Sequence, residues 1–332
     1  MKNLYFFILI LVISCKDVKK HEIEHIEPKF IKKVSTKAYI PNSYVFSKVP
    51  VCYDGFWYYL DKSNGSIVKL NKDFTYHSKT VVVGEGPHKI GKAYQMSLAD
   101  NFLFVIGNFE IIIYDMIKND IVNKYKHQLG LMQQVHYHNK EFLTSYIDET
   151  DRKLYIVSFK FDHKKLYDIS KLVSVNYEKG THVAEKSGWL ISTADQKLVF
   201  IKDWMGEAYL YDDNFNLIKS FQLPYSGKKD FNKNFDDNGF TSYYFEAYSV
   251  AQYNDKIAIM RELDFEEKSD FNINEDINDK YVRSRIHIFD KNMILKQSLK
   301  VPNFSTQIYF KNDTLLTLNY EDEFIYLYDI NY

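Results

Sequence analysis

Short apolar runs recur along this chain in pairs, and the second run of each pair ends in an aromatic residue or Leu followed by Asp or Asn. The pairs are 56–61 with 66–71, 102–107 with 111–115, 142–147 with 154–162, 198–203 with 208–212, 257–262 with 285–290, and 315–320 with 324–329. Such runs, bounded by turn-forming residues, read as β-strands. A further candidate strand precedes five of the pairs, at 94–98, 133–137, 189–193, 247–253 and 306–310. More polar, alternating stretches follow at 73–83, 121–127, 217–223 and 294–301. Helical periodicity of any length is missing, which argues against α/β folds.

The closing residues Asn71, Asp115, Asp162, Asp212, Asp290 and Asp329 lie 44, 47, 50, 78 and 39 residues apart. Roughly 40–50 residues per four-stranded unit is the blade length of a β-propeller. The expected fold is therefore all-β, a single six-bladed β-propeller over residues 30–332. The 78-residue interval is explained by insertions at 224–243 and 263–284. The sixth unit ends at Asp329 without an outer strand, while 30–40 is strand-like and has no blade of its own. The expectation is that this N-terminal strand completes the last blade and closes the ring. Closure removes exposed strand edges, which promote association, and so points to a monomer.

Before that domain the chain reads Met1-Lys2-Asn3 and is then apolar from Leu4 to Ile13. Ten residues are too few for a bilayer span, which takes about 20, and suit a secretory signal peptide. The run ends Val12-Ile13-Ser14-Cys15, which resembles the lipobox of bacterial lipoproteins. That resemblance implies a signal peptide at 1–14, acylation of Cys15 and a bilayer partner. Residues 15–29 are polar and charged and read as a flexible tether. Lys16-Asp17 resembles the short export signal that sends some lipoproteins to the outer leaflet, giving an expected location in the cell envelope, as an outer-membrane lipoprotein facing the periplasm or the cell surface.

The charge is nearly balanced, with 43 basic and 44 acidic residues, and no basic face suggests nucleic acid. With Cys15 acylated, Cys52 has no partner for a disulfide and reads as a small buried residue. Aromatic residues make up 17% of the chain, which suits pleated, half-buried surfaces.

At Gly84-Glu85-Gly86-Pro87, between the first and second units, the chain resembles a six-bladed β-propeller family of bacterial lipoproteins, relatives of NHL and TolB-like propellers. Those proteins often carry Gly-x-Gly-Pro-Gly-Glu there; here His88-Lys89 replaces the final Gly-Glu. The resemblance implies fold and location more than activity. On physical grounds Gly84 and Gly86 supply positive φ for a turn that Pro87 stiffens.

Blade topology puts the loop between strands two and three on the same face as the connection to the next blade. Both insertions and the Gly84 turn therefore project from one face, and function concentrates on loops held by a rigid scaffold. The first insertion and its exit carry Tyr225, Phe231, Phe235, Phe240, Tyr243 and Tyr244 among charged residues, suited to stacking on a sugar or packing on a protein partner. Packing of the loop onto its own blade is the plainer role. The second insertion is acidic. Its Asp270-x-Asn272-x-Asn274, like Asp230-x-Asn232-x-Asn234, mimics the start of a calcium loop but lacks the later Gly and Glu. This excludes an EF-hand and leaves a looser calcium site as the one cofactor to consider. His136 and His138, two apart on an inner strand, share a face and could line the channel or ligate a metal with a third residue. Ordinary channel packing competes with that reading. No nucleophile elbow, P-loop or paired CxxC occurs, and no catalytic residue is assigned. The expected function is a binding or scaffold module for an envelope protein or a glycan. The alternative is a lyase- or hydrolase-type enzyme with its site at the channel mouth, since propellers draw catalytic residues from separate blades.

Overall fold

The computed structural model describes residues 23–35, 51–61, 64–107, 109–127, 129, 132, 134–148, 153–161, 166–176, 188–202, 207–223, 234–235, 241–242, 247–261, 284–302, 305, 307–319 and 324–330. Among them every regular element is a strand. Two strands come first, β1 (Glu24–Ile26) and β2 (Lys29–Ser35). Blade one is β3 (Val51–Tyr53), β4 (Phe56–Asp61), β5 (Ser66–Leu70) and β6 (Tyr76–Val81). Blade two is β7 (Gln95–Ala99), β8 (Phe102–Ile106), β9 (Glu110–Asp115) and β10 (Asp120–Lys126). Blade three is β11 (Val135–His138), β12 (Glu141–Asp148), β13 (Lys153–Phe161) and β14 (Leu166–Asn176), the last being the outer strand that a four-stranded unit requires. Blade four is β15 (Gly188–Ser192), β16 (Leu198–Lys202), β17 (Glu207–Tyr211) and β18 (Leu217–Gln222). A two-stranded ladder, β19 (Asn234–Phe235) and β20 (Thr241–Ser242), precedes blade five. That blade is β21 (Ala247–Tyr253), β22 (Lys256–Arg261), β23 (Ser284–Phe289) and β24 (Leu295–Val301). Blade six takes β25 (Gln307–Lys311), β26 (Thr314–Asn319) and β27 (Phe324–Asp329) from the end of the chain.

The fourth strand of blade six is β2, which pairs antiparallel with β27 from Lys29 opposite Asp329 to Ser35 opposite Phe324. The architecture is a six-bladed β-propeller closed by an N-terminal strand. The N-terminal segment does more than this. β1 lies parallel to β24 on the outer edge of blade five, with Glu24 opposite Gln297, and Gln297 Nε2 donates to Glu24 Oε2 at 2.7 Å. The stretch read as a tether is thus held to the rim over Glu24–Ile26, and the N-terminal segment ties the edges of blades five and six together.

Six apolar clusters, one per blade interface, make up the core, as a closed ring requires. The period-2 alternation of a strand explains how each middle strand serves two of them. In β4, Trp57 and Tyr59 face blade six while Tyr58 and Leu60 face blade two. In β16, Val199 and Ile201 face blade five while Leu198 and Phe200 face blade three. Both faces are buried, so these strands read as unbroken apolar runs, whereas the outer strands alternate. Val34 of β2 packs into the cluster between blades six and one.

The recurrent closing Asp or Asn has a local cause. Asp212 Oδ1 accepts the backbone N–H of Asn214 at 2.9 Å and of Asn216 at 2.8 Å. Asp290 does the same for Asn292 and Ile294, both at 2.9 Å. Each carboxylate folds the hairpin between the third and fourth strands, as Asx side chains do in turns. Three residues later Phe74, Phe215 and Met293 take left-handed φ values of 71°, 62° and 58°. This conformation is unfavourable for a side chain, and in Phe74 and Met293 burial of that side chain offsets it. Asp162 lies outside the described residues.

Candidate functional site

The inner strands of all six blades surround a central cavity of about 350 Å³. Val51 lines it in blade one, Gln134 and His136 in blade three, and Gln307 and Tyr309 in blade six. None of the strand-end residues Tyr53, Ala99, His138, Ser192, Tyr253 and Lys311 reaches it. The cavity therefore sits toward the face that carries the blade-to-blade connections, the face on which β18 ends and the Gly84 turn lies.

Among the described residues, none that lines it is Asp, Glu, Lys or Arg. Their polar groups are neutral: Ser97, Gln134, His136, Ser249, Gln252, Gln307 and Tyr309, set among aliphatic residues and Trp189. Several bond across blades. Gln134 Nε2 donates to the Leu190 carbonyl at 2.5 Å, and the Ile308 N–H donates to Ser249 Oγ at 3.2 Å. Among the described residues, the buried Oε1 of Gln307 has no hydrogen-bond partner. The same holds for Gln95 Oε1, at the start of the blade-two inner strand. Burial pushes the Tyr309 hydroxyl up to about 12, so it stays protonated and can donate.

At the floor of the cavity His136 Nε2 lies 2.7 Å from Ser192 Oγ, and His138 Nδ1 lies 2.8 Å from the same oxygen. A serine hydroxyl has a single proton, so one imidazole accepts it while the other donates its own N–H. Burial, then the neighbouring His138, pushes His136 down to about 3. Burial likewise lowers His138, against the opposing pull of Asp213 and Glu141. Both rings are thus neutral at pH 7, and His136 is too weak a base to draw a proton from Ser192 efficiently. The trio cross-links blades three and four and closes the cavity from below. Among the described residues no group of three or more His, Cys, Asp or Glu is placed to hold a metal.

Gly84 and Gly86 have φ of 133° and 135°, values that side chains rarely adopt. The Gly84 N–H donates to the Ile90 carbonyl at 3.0 Å and the Ile90 N–H to the Val82 carbonyl at 2.8 Å, closing a loop that also holds Glu85 and Pro87. Of the aromatic residues in the first insertion, Phe235 has a described backbone, paired with Thr241. Cys15, Tyr225, Phe231, Phe240, Tyr243 and Tyr244 lie outside the described residues, as do both calcium-like stretches apart from Asn234. Cys52 is half-buried rather than fully enclosed, with Lys311 Nζ 3.7 Å from its sulfur.

Sequence reasoning singled out His136 but missed the glutamines. Their signal was present: Gln95, Gln134 and Gln307 each stand at the start of an inner strand or one residue before it. Of these, Gln134 and Gln307 line the cavity.

No family model and no curated protein matches the chain. Solved structures do. A member of the DUF4221 family from Bacteroides vulgatus superposes with a TM-score of 0.58 at 8% identity, over 91% of this chain and 97% of that one. A Bacteroides fragilis protein named as a candidate exported protein superposes with a TM-score of 0.54 at 12% identity, over 94% and 96%. At such identities the likeness is one of fold, and the resemblance to NHL and TolB-like propellers goes no further than that.

Proposed function

We propose that this chain is an envelope lipoprotein, held to the outer membrane by an acylated Cys15, whose propeller acts as a non-enzymatic binding module through the face that carries the insertions. The observation that carries this reading is the central cavity, which lies toward that face and is walled by neutral side chains without a catalytic set. Tyr225, Phe231, Phe235, Phe240, Tyr243 and Tyr244 flank the same face in sequence and suit a protein or glycan contact. A protein of the same fold named as a candidate exported protein is consistent with a location in the cell envelope. The strand at Glu24–Ile26 adds a constraint. Only residues 16–22 separate Cys15 from the described chain, and the eight residue steps from Cys15 to Ile23 reach about 28 Å at most. The rim of blades five and six would therefore lie close to the bilayer.

The test is a pull-down of the full-length acylated protein from its native membrane, with a deletion of residues 224–243 as control. The proposal expects one envelope component to follow the intact chain and to be lost with the deletion. If nothing follows the intact chain, or if capture is the same with and without the insertion, the docking face is refuted.

A further inference from the structure

We infer that the central cavity binds an uncharged saccharide unit. The inference deepens the binding-module reading by naming a ligand class for the cavity itself.

The first argument is electrostatic. An ion entering the cavity would lose its hydration and meet no opposite charge among the described residues, because none of those lining it carries one. The effective cost of such a transfer is several kcal/mol per ion. Among the described lining residues His136 is the one titratable group apart from the Tyr309 hydroxyl, and it is held neutral. Carboxylate, phosphate and ammonium ligands are thereby disfavoured.

The second argument comes from unused hydrogen-bonding capacity. A buried acceptor without a donor is costly, and such groups in a native fold call for an explanation. Gln307 Oε1 faces this situation on the cavity wall. It is an acceptor, so the complementary group on a ligand is a donor. Hydroxyl groups are neutral donors, and they also accept, as the amide of Gln252 would require.

The third argument is the apolar share of the wall. Trp189, Val51 and Leu98, each partly buried, line it with apolar groups between the polar ones. A pyranose has this composition: hydroxyls on its edge and apolar C–H faces that lie on an aromatic ring. A wholly apolar ligand would leave the glutamines unpaired. The volume, about 350 Å³, stands at the small end of ligand pockets, about 300–1,000 Å³, and limits the occupant to one or two sugar residues.

The experiment is isothermal titration of residues 16–332 with maltose, cellobiose, lactose and N,N′-diacetylchitobiose at millimolar concentration. Digalacturonate and a capped neutral tripeptide serve as comparisons. At least one neutral disaccharide should bind, and digalacturonate should not. Gln307→Leu should weaken that binding about five-fold or more, the loss of one neutral hydrogen bond, and Gln252→Leu provides a second, independent reading. Both variants should keep the parent's melting temperature, since each replaces a cavity-facing amide by a similar volume. The inference is overturned if no neutral disaccharide binds, if digalacturonate or the tripeptide binds as well as the best sugar, or if both variants bind that sugar like the parent. Sugar binding with a null pull-down would remove the docking partner and leave the cavity site standing. The converse would remove the cavity site alone.

Discussion

Replacing His136 with glutamine should flatten the acid sensitivity of this fold. In the folded chain burial and the adjacent His138 hold His136 at about 3, against 6.5 for the free side chain. A histidine with a depressed folded pKa contributes no proton-linked penalty above the unfolded value. As the pH falls below 6.5 the unfolded chain takes up a proton that the folded chain refuses, and stability declines until the folded pKa is reached. Each unit of pH in that window costs about 1.4 kcal/mol for one such group. Between about pH 7.5 and 5, His136 alone therefore removes roughly 2 kcal/mol. Urea unfolding of the parent and of His136→Gln at the two pH values measures this as a difference of differences. His127 and His138, also lowered by burial, contribute to both proteins and cancel. Glutamine keeps a group able to donate to or accept from Ser192, so the cross-link between blades three and four survives. The prediction is that the variant loses about 2 kcal/mol less than the parent on acidification. Equal losses would mean that His136 titrates near its ordinary value, so that water fills the cavity floor and the dry environment argued for this imidazole is wrong.

Other substitutions test the packing and the closure. A methyl group on Gly188 would meet the Phe200 ring at 2.2 Å and the Ile201 carbonyl at 2.7 Å, so Gly188→Ala should cost about 1–3 kcal/mol in chemical denaturation; parent-like stability would contradict the close approach. Asp290→Ala strips two backbone N–H groups and Lys296, 3.3 Å away, of their acceptor and should cost about 1.5–3 kcal/mol. Burial alone would raise the Asp290 carboxyl, but those donors outweigh it and hold it low. Its contribution is thus full above the ordinary carboxylate pKa, about 3.9, and is lost as the pH falls through the folded value, so the Asp290→Ala deficit should shrink in strong acid. Deleting residues 16–35 removes β1 and β2, bares the edge of β27 and should give a chain that aggregates or fails to fold; a stable, monomeric truncation by sedimentation would refute ring closure.

The blade plan was legible because its causes are local. Unbroken apolar runs mark strands buried on both faces, and the Asp or Asn that folds each outer hairpin marks where they end. The outer strand expected of blade three, β14, had no clear bounds because Leu166–Asn176 mixes Lys171, Ser170 and Ser174 with its apolar residues, as an exposed outer strand does. β1 escaped because three residues, Glu24–Ile26, gain their order from a partner 273 positions away, which no local pattern announces. The site was half legible. His136 stood out by its spacing from His138, but the neutrality of the cavity is a property of six strands taken together. Gln95, Gln134 and Gln307 acquire meaning only when the ring brings their strands around one axis.

The measurement closest to the central claim is amide hydrogen exchange with and without a saturating concentration of the neutral disaccharide that binds tightest. Added protection is expected in the inner strands, above all at Gln95–Ala99, Val135–His138, Gly188–Ser192 and Gln307–Lys311. Protection confined to outer strands such as Leu217–Gln222, with the inner strands unchanged, would contradict a binding site at the propeller axis.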